Sequence, residues 1–188
     1  AAGHRTWRAS YPSMRGTMAE SAEHVYRRMC AELPPGPKMA VTHSAGGIIA
    51  RLLSDRVSWE RVLMLAPPNQ GSRLAKAVAR RSRRLLDAVC GPKGRELADP
   101  SWPEPDFELS IIAGITPHVV DRPQVTLGRT VGAFSRGCQT DGTLHVDDTK
   151  HPAMQEFETV EAGHTFLMDH PEVRRMTLSF LDSGRLRL

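Results

Sequence analysis

The stretch VTHSAGGIIAR, Val41 to Arg51, places a serine in a tight turn between an apolar run and a helix-like pattern. In a parallel α/β sheet, a nucleophilic serine sits on a sharp strand-to-helix turn at the carboxyl edge, where ligands gather. Such a turn crowds the backbone, so the residues two before and two after the serine are small. Thr42 and Gly46 hold these positions around Ser44, although glycine is more usual at the first. The stretch is compatible with a nucleophile or with a helix-capping serine, and the possible partners of Ser44 decide between them.

The predicted helix after Ser44 would direct its first N–H groups and its positive dipole end towards the reacting centre. The backbone amide of Ala45 is therefore the predicted oxyanion donor. A base is predicted at His164 in VEAGHTFLMDH, which follows the last predicted strand and precedes the last helix. A loop at that place reaches the same sheet edge as Ser44. Gly163 before it is expected to supply an unusual backbone angle.

The acid that would orient the base is predicted between the serine and the histidine, which is the chain order of this kind of site. The segment QTDGTLHVDDTK offers Asp141, Asp147 and Asp148. Asp141 precedes Gly142 in a turn-type dipeptide, which suits a carboxylate presented at a loop tip. Turn chemistry alone leaves all three candidates open.

Short apolar runs alternate with helical patterns along the chain. KMAVTH, RVLMLA, FELSIIAG and FETVEA are typical of buried strands, and AGGIIARLLSD and PEVRRMTLSFLDSG are typical of helices. This alternation predicts an α/β fold, with a mostly parallel sheet and helices on both faces. A length of 188 residues suits a single domain, 1–188.

Three further segments carry weaker signals. HRTWRASY alternates roughly and is predicted as a strand. Thr17 and Glu20 are spaced as a capping box before a helical repeat of apolar residues. The Gly- and Pro-containing stretch 114–142 is predicted as loop with one short strand.

A basic helix is predicted from about Ser72 to Val89, within a lid-like helical insertion at 72–105. Leu74, Val78, Leu85 and Val89 would share one face of it. Its cations are Arg73, Lys76, Arg80, Arg81, Arg83 and Arg84. A solvated face explains them, and the alternative is a surface that contacts anionic lipid headgroups. No aromatic residue is interleaved with these cations, which argues against a nucleic-acid platform.

Composition narrows the class of protein. With 40% hydrophobic and 24% charged residues and a net charge of +4, the chain resembles an ordinary soluble globular protein. No apolar run approaches the roughly 20 residues of a membrane span, and no signal peptide is visible, which slightly favours the cytoplasm. The chain opens AAGHRTW without an initiator Met, so the compartment stays open. Cys30, Cys90 and Cys138 lack CxxC spacing, which predicts neither a zinc site nor a complete disulfide framework.

The motifs, taken in order, resemble those of the lipase/esterase-like α/β-hydrolases. The similar segments are YPS (Tyr11–Ser13), VTHSAGG, MLAPPNQGS (Met64–Ser72), IIAG (Ile111–Gly114), DGTLHVDDTK and GHTFLM. APPNQGS is the most distinctive of them. The resemblance implies Ser44 as nucleophile, Asp141 as acid and His164 as base, with the Ala45 amide as one oxyanion donor.

The resemblance also implies residues beside the substrate. His43 adjoins the nucleophile, and Pro67, Asn69 and Gln70 match a segment that lines or braces the site. A turn held by side-chain hydrogen bonds explains the last three equally well. These hydrolases resemble one another in an early strand that ends in a His-Gly loop and supplies a second oxyanion donor. No such motif precedes Ser44, because Gly3-His4 has the reverse order, so the chain is expected to lack this N-terminal strand.

The expected activity is hydrolysis of a carboxylic ester, small or lipid, through an acyl-enzyme and without a metal or organic cofactor. Two alternatives stay open. A catalytically incomplete hydrolase-like fragment or binding domain would show no ester turnover. Loss of one oxyanion donor by itself lowers the rate by about 10²–10³. An acyltransferase would use the same triad with an alcohol other than water.

Overall fold

The computed structural model describes residues 3–12 and 15–187. Its sheet contains β1 (Lys38–His43), β2 (Trp59–Leu65), β3 (Glu108–Gly114) and β4 (Met154–Val160), in that spatial order. All three strand pairings are parallel. The helices are α1 (Met18–Glu32), α2 (Ala45–Leu52), α3 (Arg73–Arg81), α4 (Arg83–Cys90), α5 (Lys93–Ala98), α6 (Arg122–Thr130), α7 (Val146–Thr149) and α8 (Pro171–Ser183).

Side-chain alternation along the strands places helices on both faces of the sheet. Val62 and Met64 of β2 pack with Ala50 of α2. Leu63 and Leu65, on the opposite face of the same strand, pack against α8. The α1 helix forms a further layer over α2. The predicted fold class, a parallel α/β sheet covered on both faces, is therefore confirmed.

Local sequence signals set several element ends. The capping box predicted at Thr17 and Glu20 is present at the start of α1. The α8 helix begins with Pro171, whose missing N–H costs nothing in a first turn. It ends at Gly184, which has a φ of 78° and so suits a residue without Cβ.

The strand predicted at HRTWRASY is absent from the described residues. Trp7, Ala9 and Tyr11 instead pack against the apolar cluster between α1 and α2. The alternation of these residues thus reflects contact with helices rather than strand pairing. Ser13 of the YPS motif lies outside the described residues.

The single basic helix predicted from Ser72 to Val89 is also wrong. Ser82 ends α3 with extended backbone (φ −162°), and its hydroxyl accepts the Leu85 N–H at the start of α4. The break changes the helical phase, so Leu86 is buried while Leu85 is 41% exposed. Leu74 and Val78 are buried as predicted, and the side chain of Val89 lies outside the described part.

The described stretch 114–142 contains helices rather than the predicted short strand. A 3₁₀ turn at Val119–Asp121 leads directly into α6, which has Pro123 in its first turn. The proline favours a helix start because its φ is already helical. This helical segment follows β3 at the carboxyl edge of the sheet, beside the loop that carries Asp141.

Candidate active site

Ser44 occupies the turn between β1 and α2. Its φ of 52° and ψ of −127° lie outside the common regions for a residue with a side chain, a conformation that costs about 1–3 kcal/mol. A Cβ on Gly47 would lie 2.9 Å from Met64 Sδ and 3.0 Å from Pro67 Cβ, so a larger residue here would have to displace these side chains. A Cβ built on Gly46 would lie 3.4 Å from the Cβ of Thr42. Because Gly46 has no Cβ, the turn has room for threonine at position 42, where glycine is more usual.

Three residues that are far apart in sequence meet at this turn. The Ser44 hydroxyl donates to His164 Nε2 over 3.0 Å, and His164 Nδ1–H donates to Asp141 Oδ2 over 2.7 Å. The carboxylate side of this arrangement excludes water, with Asp141 1% and His164 9% exposed. The arrangement can hold a proton on Nδ1 and leave Nε2 free to receive one from the serine.

The loop around Asp141 holds its carboxylate in place. Oδ1 accepts the backbone N–H groups of Thr143 and Leu144 at 2.9 and 2.7 Å. The Asp141 carbonyl also accepts the His164 backbone N–H at 3.0 Å. Asp141 and His164 are therefore joined through both side chain and backbone. Asp147 and Asp148, the other predicted acids, are engaged elsewhere with Arg73.

His43 contacts His164 from the side of β1. Its Nε2–H donates to the His164 carbonyl over 3.0 Å, and the two rings lie 4.8 Å apart. Burial, followed by the nearby His164, lowers the pKa of His43 to about 4. At neutral pH His43 is therefore uncharged, and it does not oppose the positive charge that His164 acquires when it takes a proton.

The Ala45 amide belongs to the first turn of α2, where N–H groups have no partner within the helix. A nearby side chain is that of Tyr11, whose hydroxyl lies 3.9 Å from a Cβ built on Gly46. The buried Lys93 ammonium donates to the carbonyls of Pro12 and Arg15, which anchors this segment to α5. The segment that contains Tyr11 therefore lies against the start of α2.

The segment after β2 acts mainly as a brace. Pro67 packs where a Cβ on Gly47 would stand, 3.0 Å away. The buried Asn69 side chain accepts from Arg51 and donates to the Thr149 carbonyl. Gln70 is exposed and donates to the Lys150 carbonyl. Pro67 and Asn69 thus pack against α2, directly after the turn at Ser44, and Gln70 lies on the surface.

The unusual backbone angle predicted at Gly163 is wrong, because its φ is not positive. The glycine is required instead by close packing. A Cβ there would lie 2.5 Å from the His118 backbone nitrogen and would overlap Asp121 Oδ2. Sequence reasoning missed Asp121 as part of this site. The only sequence signal was its place ahead of Arg122-Pro123, which is typical of a helix start.

Two surface clefts of about 370 Å³ each lie on α1 and beside α8, and neither is lined by Ser44, Asp141 or His164. Across 3–12 and 15–187, no group of three or more His, Cys, Asp or Glu side chains could hold a metal ion. The three cysteines are free thiols. None of the helices described is both long and apolar enough to cross a bilayer.

No protein-family model and no curated protein matches the sequence. Solved structures do resemble it. The mature form of Bacillus licheniformis lipase BlEst2 superposes with a TM-score of 0.57 at 16% identity, over 89% of this chain and 71% of that one. Its propeptide form gives 0.56 at 17% identity, over 86% and 38%. Legionella pneumophila phospholipase PlaB gives 0.50 at 19% identity, over 76% and 36%.

The chain therefore spans about two fifths of the BlEst2 propeptide form and a similar share of PlaB. Identities this low compare folds and leave residue roles to be argued from this chain. The parallel sheet, the helices on both of its faces and these likenesses together show that the chain has an α/β-hydrolase fold, shared with these solved structures.

Proposed function

We propose that this protein is a serine hydrolase that cleaves carboxylic esters through an acyl-enzyme. The observation that carries the proposal is the continuous hydrogen-bonded line from Ser44 Oγ through His164 to Asp141. A serine in a strained turn whose hydroxyl meets a buried, carboxylate-oriented imidazole has the arrangement that activates an alcohol as a nucleophile. The solved lipase structures support the fold of this chain. Because they share only 16% and 17% identity with it, they do not support its chemistry.

In the proposed reaction, Ser44 Oγ attacks the ester carbonyl carbon while its proton moves to His164 Nε2. Asp141 stabilises the imidazolium that forms, and the Ala45 N–H donates to the oxyanion. His164 then gives the proton to the departing alcohol as the C–O bond breaks, which leaves Ser44 acylated. A water molecule, deprotonated by the same imidazole, attacks the acyl group, and the proton returns to Ser44 as the carboxylic acid leaves.

A fluorophosphonate probe tests the nucleophile directly. The protein should become labelled at Ser44, and Ser44→Ala should lose both labelling and hydrolysis of a p-nitrophenyl ester. Ser54→Ala is the matched control, because Ser54 lies at the other end of α2 and caps the Arg51 carbonyl. The proposal fails if the unmodified protein is not labelled or if Ser44→Ala is labelled as fast.

Apolar side chains beside His164 favour an ester with a hydrocarbon chain. Phe166 and Met168 follow the base and are 46% and 39% exposed, and Val119 and Val120 on the neighbouring turn are 56% and 45% exposed. The ring of Phe166 contacts that of His118, so the two segments adjoin. Exposed apolar surface next to a site is typical of ligand contact. Longer acyl chains should therefore lower KM relative to acetate esters.

The cations of α3 and α4 support contact with an anionic lipid surface. Five of them are exposed and have no ion pair within 4 Å in the described structure: Lys76, Arg80, Arg81, Arg83 and Arg84. The exposed Leu85 lies beside them. A basic cluster with an apolar neighbour suits a headgroup layer, where each cation contributes about 1 kcal/mol.

Vesicle sedimentation tests this contact. The protein should bind vesicles that contain phosphatidylglycerol, release them at high salt, and ignore pure phosphatidylcholine. Reversal of Arg80, Arg81 and Arg84 to glutamate should abolish binding and leave soluble-ester turnover unchanged. Reversal of Arg5, Arg8 and Arg175, which are also exposed, gives the same change in net charge away from the cluster. Equal loss in both variants would contradict a specific surface.

A further inference from the structure

Asp121 is a buried carboxyl group that the proposed reaction does not use. It is 1% exposed and ends the 3₁₀ turn after β3. Oδ2 accepts the His118 backbone N–H at 2.9 Å, and Oδ1 accepts the Thr165 hydroxyl at 2.8 Å. No described Lys or Arg lies within ion-pair distance of it. A buried carboxyl without a cation is costly, so its position calls for an explanation.

Asp121 stands between the loop of the acid and the loop of the base. Gly142 follows Asp141, and a Cβ on Gly142 would overlap Asp121 Cβ. Gly163 precedes His164, and a Cβ there would overlap Asp121 Oδ2. Both loops therefore approach Asp121 as closely as a backbone can, each through a glycine next to a triad residue.

We infer that Asp121 is a positioning residue, which fixes the base loop relative to the acid loop through its hydrogen bond to Thr165. The inference rests on the proposed function, since it concerns the placement of His164. Thr165 directly follows His164, so a bond that holds its side chain also limits movement of the imidazole.

The other anchors of His164 show what this bond adds. The His164 backbone N–H donates to the Asp141 carbonyl, and its carbonyl accepts from His43. These bonds hold the main chain of the base from one side, and Thr165 holds the following residue from the other. Loss of the Thr165 bond would let the imidazole shift towards solvent, away from Ser44 Oγ. A misplacement of about 1 Å can lower a rate by up to about a hundredfold.

Thr165 offers the cleaner substitution, because it is exposed and the contact between Phe166 and His118 would still join the two segments. Thr165→Val removes the hydroxyl and keeps the shape, whereas Thr165→Ser keeps the hydroxyl. Asp121→Asn is the complementary change, since an amide supplies one acceptor oxygen where two are needed. Asp148→Asn is the matched control: Asp148 is 3% exposed and also bonds a backbone N–H, but it binds Arg73 and not the base loop.

Fluorophosphonate titration counts functional sites, so that kcat can be expressed per titrated site. Thr165→Val and Asp121→Asn should lower kcat per site and the labelling rate by about tenfold to a hundredfold with KM little changed. Thr165→Ser should restore most of the rate, and Asp148→Asn should change kcat per site by less than a factor of about three. A loss confined to the number of titratable sites, with kcat per site preserved, would overturn the inference and leave a merely structural role.

A measurement that needs no turnover separates this inference from the proposed reaction. The proton on His164 Nδ1 in its 2.7 Å bond to Asp141 should give a downfield NMR signal. The signal should weaken or move in Thr165→Val and persist in Thr165→Ser and Asp148→Asn. An unchanged signal in Thr165→Val would overturn the positioning role. If the signal responds as expected but the fluorophosphonate does not label the protein, the positioning role of Asp121 is retained and the proposed hydrolase activity is rejected.

Discussion

His43 illustrates, at the scale of a residue, how the fold sets a charge. Its neighbour Ser44 bends the chain, so the ring of His43 meets the His164 backbone rather than open solvent. Burial and the facing imidazole then disfavour its charged form. The sequence predicted a place for His43 beside the nucleophile but carried no information on its protonation.

Acid should destabilise the protein through His43. Its pKa is about 4 in the fold against an ordinary value of 6.5, so the unfolded chain takes up this proton first as pH falls. The contribution of His43 to the free energy of unfolding is fully present above pH 6.5 and is lost as the pH falls towards 4, a total of about 3 kcal/mol. Urea unfolding of the protein and of His43→Gln across this pH range should show a shallower decline in the variant. Parallel declines would contradict the assignment.

At the scale of elements, caps decide where helices begin and end, and only some of them follow from a local sequence pattern. Thr17 and Glu20 were recognisable because a capping box is local. The break at Ser82 leaves no signal in the apolar repeat, because Leu74, Val78, Leu85 and Val89 keep a helical spacing across it. The Ser82 hydroxyl caps α4, and the resulting change of phase exposes Leu85 and buries Leu86.

Removal of the cap of α1 should have a measurable cost. Thr17→Ala loses the acceptor for the Glu20 N–H and should lower the free energy of unfolding by about 1 kcal/mol. Thr17→Ser retains the hydroxyl and should stay within about 0.5 kcal/mol of the unmodified protein. Chemical denaturation of both variants provides the comparison. Equal losses would show that packing around Thr17, rather than its cap, supplies the stability.

On the scale of the whole molecule, α8 closes one face of the sheet and lies next in the chain to the base loop. Phe180 is 1% exposed among Leu63, Ile112 and Met176. The strand β4 and the helix α8 flank His164, so the packing of both bears on the position of the base. The other face is covered by α2, which begins directly after the turn at Ser44.

Truncation of Phe180 should therefore destabilise the entire fold. Phe180→Ala leaves a cavity and should lower the free energy of unfolding by about 3–5 kcal/mol. Leu178→Ala changes the same helix at a side chain that is 45% exposed, and should cost no more than about 0.5 kcal/mol. Thermal unfolding of the two variants gives the contrast. Similar losses would mean that α8 contributes helix propensity rather than core.

The sequence by itself determined the parallel α/β class, the turn at Ser44, the helix of the C-terminal segment and the order of Ser44, Asp141 and His164. Each of these depends on neighbours in the chain: apolar periodicity, small residues in a tight turn, or a cap. The structure brings the three side chains within hydrogen-bond distance, and their catalytic role is our proposal.

Only the tertiary structure decided that HRTWRASY packs on helices, that Gly163 serves close approach, and that Asp121 lies between two loops. Asp121 and Thr165 are 44 residues apart in sequence. A hydrogen bond across that distance leaves no periodic or local pattern, because it arises from the crossing of two loops at one sheet edge. The chain thus encodes its elements locally, and it places His164 through contacts that exist only once the sheet has formed.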